Sequence, residues 1–222
     1  MRILSRCTGG ISRQLLSKSR STSTVHVQVC LYERKLHTSQ PTMLDISGIF
    51  PPIVTSFDAD ENIDWDGLKS NMQKWNQIPF RGYAVQGSNG EYAYMASDER
   101  LALVKNVKLM MGDGKLLLAG SGCESTRATV EMTNAMADVG ADAALVVTPC
   151  FYKSGMTDNA MYQHFKRVAD ESKIPVVVYN VPPNTGIDLS ADVRNTSLMH
   201  YQHVVRVVQL SISISLLYLH FR

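Results

Sequence analysis

The sequence predicts an α/β fold of parallel strands, a (β/α)8 TIM barrel of which about six βα units can be counted. Three observations carry this expectation. Short apolar runs begin near residues 49, 82, 115, 143, 174 and 204, at intervals of about 30. Helical apolar periodicity fills the gaps between them. Strands alternating with helices at that interval imply right-handed βαβ units and a parallel sheet. The GxGxxG signature of a dinucleotide-binding sheet is absent after the first strand, which favours the barrel over an open doubly wound sheet. A closed barrel of this type has eight strands, so the six candidates leave it incomplete.

The elements follow in order. Residues 48–55 (GIFPPIVT) are the first strand candidate, weakened by Pro51 and Pro52. Asp64 suits a helix N-cap, with Leu68, Met72 and Trp75 on one face. Residues 82–86 (GYAVQ) form the second strand and run into the loop GSNGE at 87–91. Ser97 is expected to cap a helix carrying Leu101, Val104 and Val107, which Asp113-Gly114 ends. Residues 115–119 (KLLLA) are the third strand. Ser125 starts a helix bearing Ala128, Met132, Ala135, Met136 and Val139, closed by Gly140. Residues 143–147 (AALVV) are the fourth strand, ended by Thr148-Pro149. Thr157 caps a helix with Met161, Phe165 and Val168. The fifth strand lies in 174–186 (IPVVVYNVPPNTG), a continuous apolar run of the kind buried on both faces. Pro182, Pro183 and Gly186 stop it. Ser190 suits one more helix start, and 204–208 is the sixth strand candidate.

Charge divides the chain. Residues 1–43 hold seven Lys/Arg and one acid, Glu33, leaving 15 bases against 19 acids over 44–222. The acidic body argues against nucleic-acid binding. The leader, with Arg2, Arg6, Arg13, Lys18 and Arg20 and no acid before residue 33, has the composition of a mitochondrial transit peptide. Import to the mitochondrial matrix is expected; a basic disordered tail is the other reading. Cys123 and Cys150 follow two leader cysteines without CxxC spacing, which suggests neither a disulfide framework nor a zinc site. No uncharged apolar stretch reaches 18 residues, so no membrane span is expected.

Candidate chemistry gathers after the strands. The loop 87–91 lets backbone N–H groups approach an anion, with Ser88 and Asn89 adding hydrogen bonds; it equally reads as a plain turn. Glu91 is placed to orient that loop. Tyr179 stands at the carboxyl end of a strand, where parallel α/β folds place their chemistry, or is a packed tyrosine bonded to backbone. Residues 148–153 (TPCFYK) bring Phe151 and Tyr152 to the same end, for a site or for an interface. Ser88, Tyr152 and Tyr179 together would give a hydroxyl chain able to pass protons. His164, beside Phe165, is expected to be a satisfied packing histidine.

Taken together, GIFPPIVTSF at 48–57, GSNGE at 87–91, SDER at 97–100, VTPCFY at 147–152, YQHF at 162–165 and YNVPPNTG at 179–186 resemble the dihydrodipicolinate synthase / N-acetylneuraminate lyase superfamily of class I aldolases. The pieces keep the superfamily's order and spacing from residue 46 to about 202. Within it the pattern is most similar to the mitochondrial 4-hydroxy-2-oxoglutarate aldolases. The leader fits, as do GSNGE where synthases usually carry GTTGE and the longer segment between TPCFY and YQHF. Asn184 stands where synthases place an arginine for their second substrate.

The resemblance implies roles. A lysine forms a Schiff base with the 2-oxo group and makes an electron sink, so that 4-hydroxy-2-oxoglutarate breaks into pyruvate and glyoxylate. Ser88 and Asn89 match the carboxylate-binding positions. Tyr179 matches the proton shuttle and Ser88 its relay. The second relay tyrosine aligns with Phe151, which lacks a hydroxyl; the adjacent Tyr152 is the substitute. No metal or organic cofactor is implied, and the partners are a small 2-oxo acid and further copies of the chain, in a homotetramer. The Schiff-base lysine is expected near 207 or 208, where Val207 and Val208 stand, and the last lysine is Lys173. The chain therefore reads as a transit peptide at 1–43, a partial barrel at 44–202 and a divergent apolar tail at 203–222, without aldolase activity of its own. Lys153, the nearest substitute amine, is expected to point to solvent. The alternatives are another pyruvate-dependent lyase, a dihydrodipicolinate synthase-like enzyme, or a non-catalytic variant that associates with intact subunits.

Overall fold

The computed structural model describes residues 44–193 and the backbone of 204–209. The leader at 1–43 and most of the tail, and the expectations that fall on them, lie outside the described residues. Within these limits the core is a parallel sheet of five strands in the order β1-β2-β3-β4-β5. The strands are β1 (Gly82–Val85), β2 (Leu116–Gly120), β3 (Ala143–Val147), β4 (Val176–Asn180) and β5 (Val204–Gln209). Each strand pairs only with its neighbours in sequence. A doubly wound sheet reverses its strand order at a switch point; the order here never reverses, which is the winding of a (β/α)8 barrel.

Helices α1 (Trp65–Trp75), α2 (Ser97–Met110), α3 (Thr126–Asp138) and α4 (Asp158–Glu171) alternate with the strands, and the short α5 (Pro182–Thr185) follows β4. Side-chain caps fix three of the starts. Asp64 Oδ1 accepts from Gly67 N at 3.0 Å, Ser125 Oγ from Ala128 N at 3.1 Å, and Thr157 Oγ1 from Ala160 N at 3.3 Å. Ser190 Oγ likewise accepts from Val193 N at 3.2 Å. Such caps each contribute about 1 kcal/mol. Ser97 does not cap α2. Ala96 takes the cap position, because Glu99 Oε2 reaches back to its N–H at 2.8 Å and makes Ser97 the first helical residue.

The first strand candidate, 48–55, is reduced to a single parallel bridge, Pro52 to Ala84. Three ladder-like bonds remain: Arg81 N to Ile49 O, Ala84 N to Pro51 O and Ile53 N to Ala84 O. Pro51 and Pro52 have no N–H to give, so regular pairing stops there.

Alternation along the strands divides the apolar side chains between two layers. Tyr83, Val85, Leu117 and Ala119 pack with Leu68, Met72, Leu103, Val104 and Met136 of the helices. Ala144, Val146, Val176 and Val178 pack with Met161, Phe165 and Val168. The opposite set, Ala84, Leu118, Ala143, Leu145 and Val177, lines the inner face with Ile46, and Tyr179 packs beside it. Tyr179 thus faces the inside of the curved sheet, at its carboxyl end. Among the described residues no helix is long and apolar enough to cross a membrane.

Candidate active site

The site is assembled where β1, β2, β3 and β4 end. β1 leads into Gln86, a buried non-glycine residue in the left-handed region at φ 61°. That turn sends the chain through Gly87 into a 3-10 turn, Ser88–Gly90. Gly90 N donates to Gly87 O at 3.0 Å and Glu91 N to Ser88 O at 3.3 Å. Thr55 Oγ1 clamps the turn from outside by donating to Gly90 O at 2.7 Å. Glu91, also left-handed at φ 57°, shapes the loop with its backbone. Its carboxylate is exposed and holds no part of the loop among the described residues, which corrects the role expected for it.

Tyr179, at the end of β4, reaches Ser88 across the mouth. The Ser88 side chain acts on the Tyr179 phenol as a hydrogen-bonding neighbour. Burial pushes the Tyr179 phenol above its ordinary range, and the bond to Ser88 pulls part of the way back. The phenol therefore stays protonated at neutral pH. Asn89 is exposed on the same turn. Tyr179 lines a pocket together with Gln86, Gly87, Tyr92, Gly120, Gly122, Leu145 and Val147; Ser88 and Asn89 stand on the adjoining turn and are not part of that lining. Its walls need glycine: a Cβ at Gly120 would stand 2.0 Å from Gln86 O.

Tyr152 is placed differently. It sits on the loop after β3, 74% exposed, with its ring 4.9 Å from that of the equally exposed Phe151. The pocket lining does not include it. The sequence brings Ser88 and Tyr179 together in the structure, and leaves Tyr152 on the outer surface. Lys153 is exposed as expected, with its Nζ lying against Gly186.

Three residues of the site had no assigned role in the sequence reading. Arg100, from the SDER segment, is buried behind the pocket and donates from Nη2 to Gly120 O at 2.9 Å and from Nε to Gln86 Oε1 at 3.2 Å. Gln86 returns a hydrogen bond from Nε2 to Arg100 O at 2.5 Å. Glu124 holds the loop after β3, accepting from Cys150 N at 3.0 Å and Phe151 N at 2.9 Å. Burial, with Glu124 beside it, pushes the Cys150 thiol up. The partners lie 14 to 27 residues away in the chain, so only the unusual burial of an arginine could have signalled them, and burial is not read from one sequence.

His164 is less satisfied than the sequence suggested. Nδ1 pairs with Thr126 Oγ1 at 3.0 Å, but buried Nε2 has no partner among the described residues. Burial pulls its pKa down to about 4, against a smaller upward pull from Glu124. Among the described residues no group of three or more His, Cys, Asp or Glu is placed to hold a metal ion.

Residues 45–216 match the model of the dihydrodipicolinate synthetase family. A 4-hydroxy-tetrahydrodipicolinate synthase of Methanothrix thermoacetophila is 37% identical over 146 residues, 66% of this chain and 48% of the relative. Among solved structures, a pyruvate-complexed, chloride-inhibited dihydrodipicolinate synthase from Acinetobacter baumannii superposes with TM-score 0.68 at 32% identity, covering 75% of this chain and 56% of its own. Dihydrodipicolinate synthase DapA-2 from Bacillus anthracis gives 0.70 at 29% identity, with 75% and 56% covered. The chain spans about half the length of the curated relatives it matches.

Proposed function

The chain belongs to the dihydrodipicolinate synthetase family, and from that premise we propose that its site is built for class I aldolase chemistry on a small 2-oxo acid. One relative is named as a lyase. The observation that supports the reading is the Ser88–Tyr179 hydroxyl pair, of which the Tyr179 phenol stands at the pocket wall. A neutral phenol coupled to a second hydroxyl can accept and return a proton without a charged base.

The substrate we propose is 4-hydroxy-2-oxoglutarate. GSNGE at 87–91 and Asn184, which is exposed on α5 after β4, support it over a synthase's second substrate. In the parent reaction a lysine amine condenses with the 2-oxo group and water leaves. Tyr179 takes the C4 hydroxyl proton as it passes its own to the Ser88 hydroxyl, which passes one onward to solvent; the C3–C4 bond breaks, and its electrons pass into the protonated imine. Glyoxylate departs. The enamine is protonated at C3 and hydrolysed to pyruvate, which frees the amine. Ser88 and Asn89 hold the carboxylate throughout.

Val207 and Val208 stand where that amine belongs. This chain alone is therefore proposed to hold a 2-oxo acid without cleaving it. A homotetrameric assembly and a matrix location complete the proposal. The test uses the full chain with pyruvate, ligand-observed NMR and borohydride trapping. Binding without an adduct and without glyoxylate release is expected. A stoichiometric adduct on any lysine, with turnover, overturns the inactive state; no pyruvate binding overturns the site. Displacement of pyruvate by 4-hydroxy-2-oxoglutarate, and not by N-acetylneuraminate, supports the substrate.

A further inference from the structure

Arg100, in the first turn of α2, is 6% exposed. Each hydrogen bond of its guanidinium goes to a neutral acceptor. Nε meets Gln86 Oε1 at 3.2 Å, Nη2 meets Gly120 O at 2.9 Å and Gly122 O at 3.4 Å, and Nη1 meets Cys123 Sγ at 3.6 Å. The cation also lies 5.2 Å from the centroid of the Tyr92 ring. Among the described residues, no carboxylate oxygen comes within 4.0 Å of its nitrogens. Of the acids adjacent in sequence to these contacts, Glu91 is exposed and the other two are engaged elsewhere. Glu99 accepts from Ala96 N, and Glu124 from Cys150 N and Phe151 N.

A buried cation without a counter-ion is costly, and the remaining partial compensation comes from carbonyl dipoles. Such a charge favours an anion in the adjoining space, because the low dielectric between them screens little. The adjoining space is the pocket. Gln86, Tyr92, Gly120 and Gly122 all touch Arg100 and all line it.

We infer that Arg100 sets the charge preference of the pocket, selecting a small 2-oxo carboxylate over its uncharged analogue while acting through the wall and not by contact. The inference rests on the reading of this pocket as a 2-oxo acid site. Arg100 is a specificity-determining residue in this role, separate from the hydroxyl pair that moves protons. Bracing of the strand ends by the same hydrogen bonds is a second effect, and it does not depend on ligand charge.

The experiment compares pyruvate with methyl pyruvate on the full chain, then on Arg100→Gln and Arg100→Lys. Affinities come from ligand-observed NMR, with circular dichroism as the fold check. The unmodified chain is expected to bind pyruvate about tenfold more tightly than the ester. Arg100→Gln is expected to abolish that ratio by weakening pyruvate alone, and Arg100→Lys to keep most of it. Equal affinity for acid and ester on the unmodified chain overturns the inference with no variant needed. So does an Arg100→Gln protein that loses both ligands equally, which marks a purely structural brace. Failure of the unmodified chain to bind either ligand overturns the site reading itself, and the inference with it.

Discussion

Tyr179 of β4 and Val208 of β5 are register partners in the parallel ladder. The tyrosine that pairs with Ser88 thus has, in the next strand and at the same height, a valine. A one-residue step along a strand moves a side chain to the opposite face. Val208→Lys therefore places an amine in the row of Tyr179, and Val207→Lys does not. Borohydride reduction in the presence of pyruvate is expected to give a mass-shifted peptide at residue 208 in the first variant and none in the second. Equal labelling of both would show that the register, and the role drawn from it, is wrong.

Ser88→Ala removes the one bond that lowers the Tyr179 phenol. The Tyr179 pKa is expected to rise further above its ordinary range, followed by NMR of ring-labelled tyrosine. Pyruvate affinity is expected to fall roughly tenfold, the cost of one hydrogen bond to a charged group. An unchanged tyrosine titration would separate the two residues.

His164 carries the acid sensitivity of the fold. Its folded pKa, about 4, lies below the ordinary histidine value of 6.5. The unfolded chain therefore takes up the proton first. The stability from neutral His164 is complete above pH 6.5 and drains away as pH falls toward 4. The full loss is of order 3 kcal/mol. Urea midpoints measured at pH 7 and pH 4.5 are expected to differ by less in His164→Asn than in the unmodified chain. A variant with the same pH slope would assign the sensitivity to other groups.

Gly120→Ala forces a Cβ to 2.0 Å from Gln86 O. The backbone of one strand end has to move, at a cost of roughly 2–4 kcal/mol. Pyruvate binding is expected to be lost along with stability, because Gly120 and Gln86 share the pocket wall. Retained binding in a stably folded variant would mean that the wall yields more than close packing allows.

The basic leader gives a cellular prediction. Residues 1–45 fused to a fluorescent protein are expected in mitochondria, given five Lys/Arg and no acid in the first 32 positions. A fusion that stayed cytosolic would remove the proposed location and leave the site untouched.

Much of the scaffold was legible because buried strands advertise themselves. AALVV at 143–147 is the strand Ala143–Val147, with the first four residues buried. The reading weakened where chemistry at single residues decides. Pro51 and Pro52 turned a strand into a bridge, and Glu99 displaced Ser97 from the cap. Ser88 and Tyr179 were legible as a pair because both end strands of a parallel sheet, which fixes their height without fixing their distance. Tyr152 was drawn in by the same rule, yet its loop is tied outward through Glu124 and the ring stays in solvent. Arg100 was beyond reach. At a helix start an arginine reads as a surface residue, and its burial depends on carbonyls 20 and 22 residues away.

The unreversed strand order has a consequence for how the chain is made. Gly82 pairs with Leu116, Leu118 with Ala143, Ala144 with Val176 and Val176 with Val204. Every pairing closes a loop of about 30 residues, and none awaits a distant segment. Each βα unit leaving the ribosome finds its partner already in place, so the sheet can grow in the direction of synthesis. Assembly then proceeds as an elongation, with the newest strand always the exposed edge.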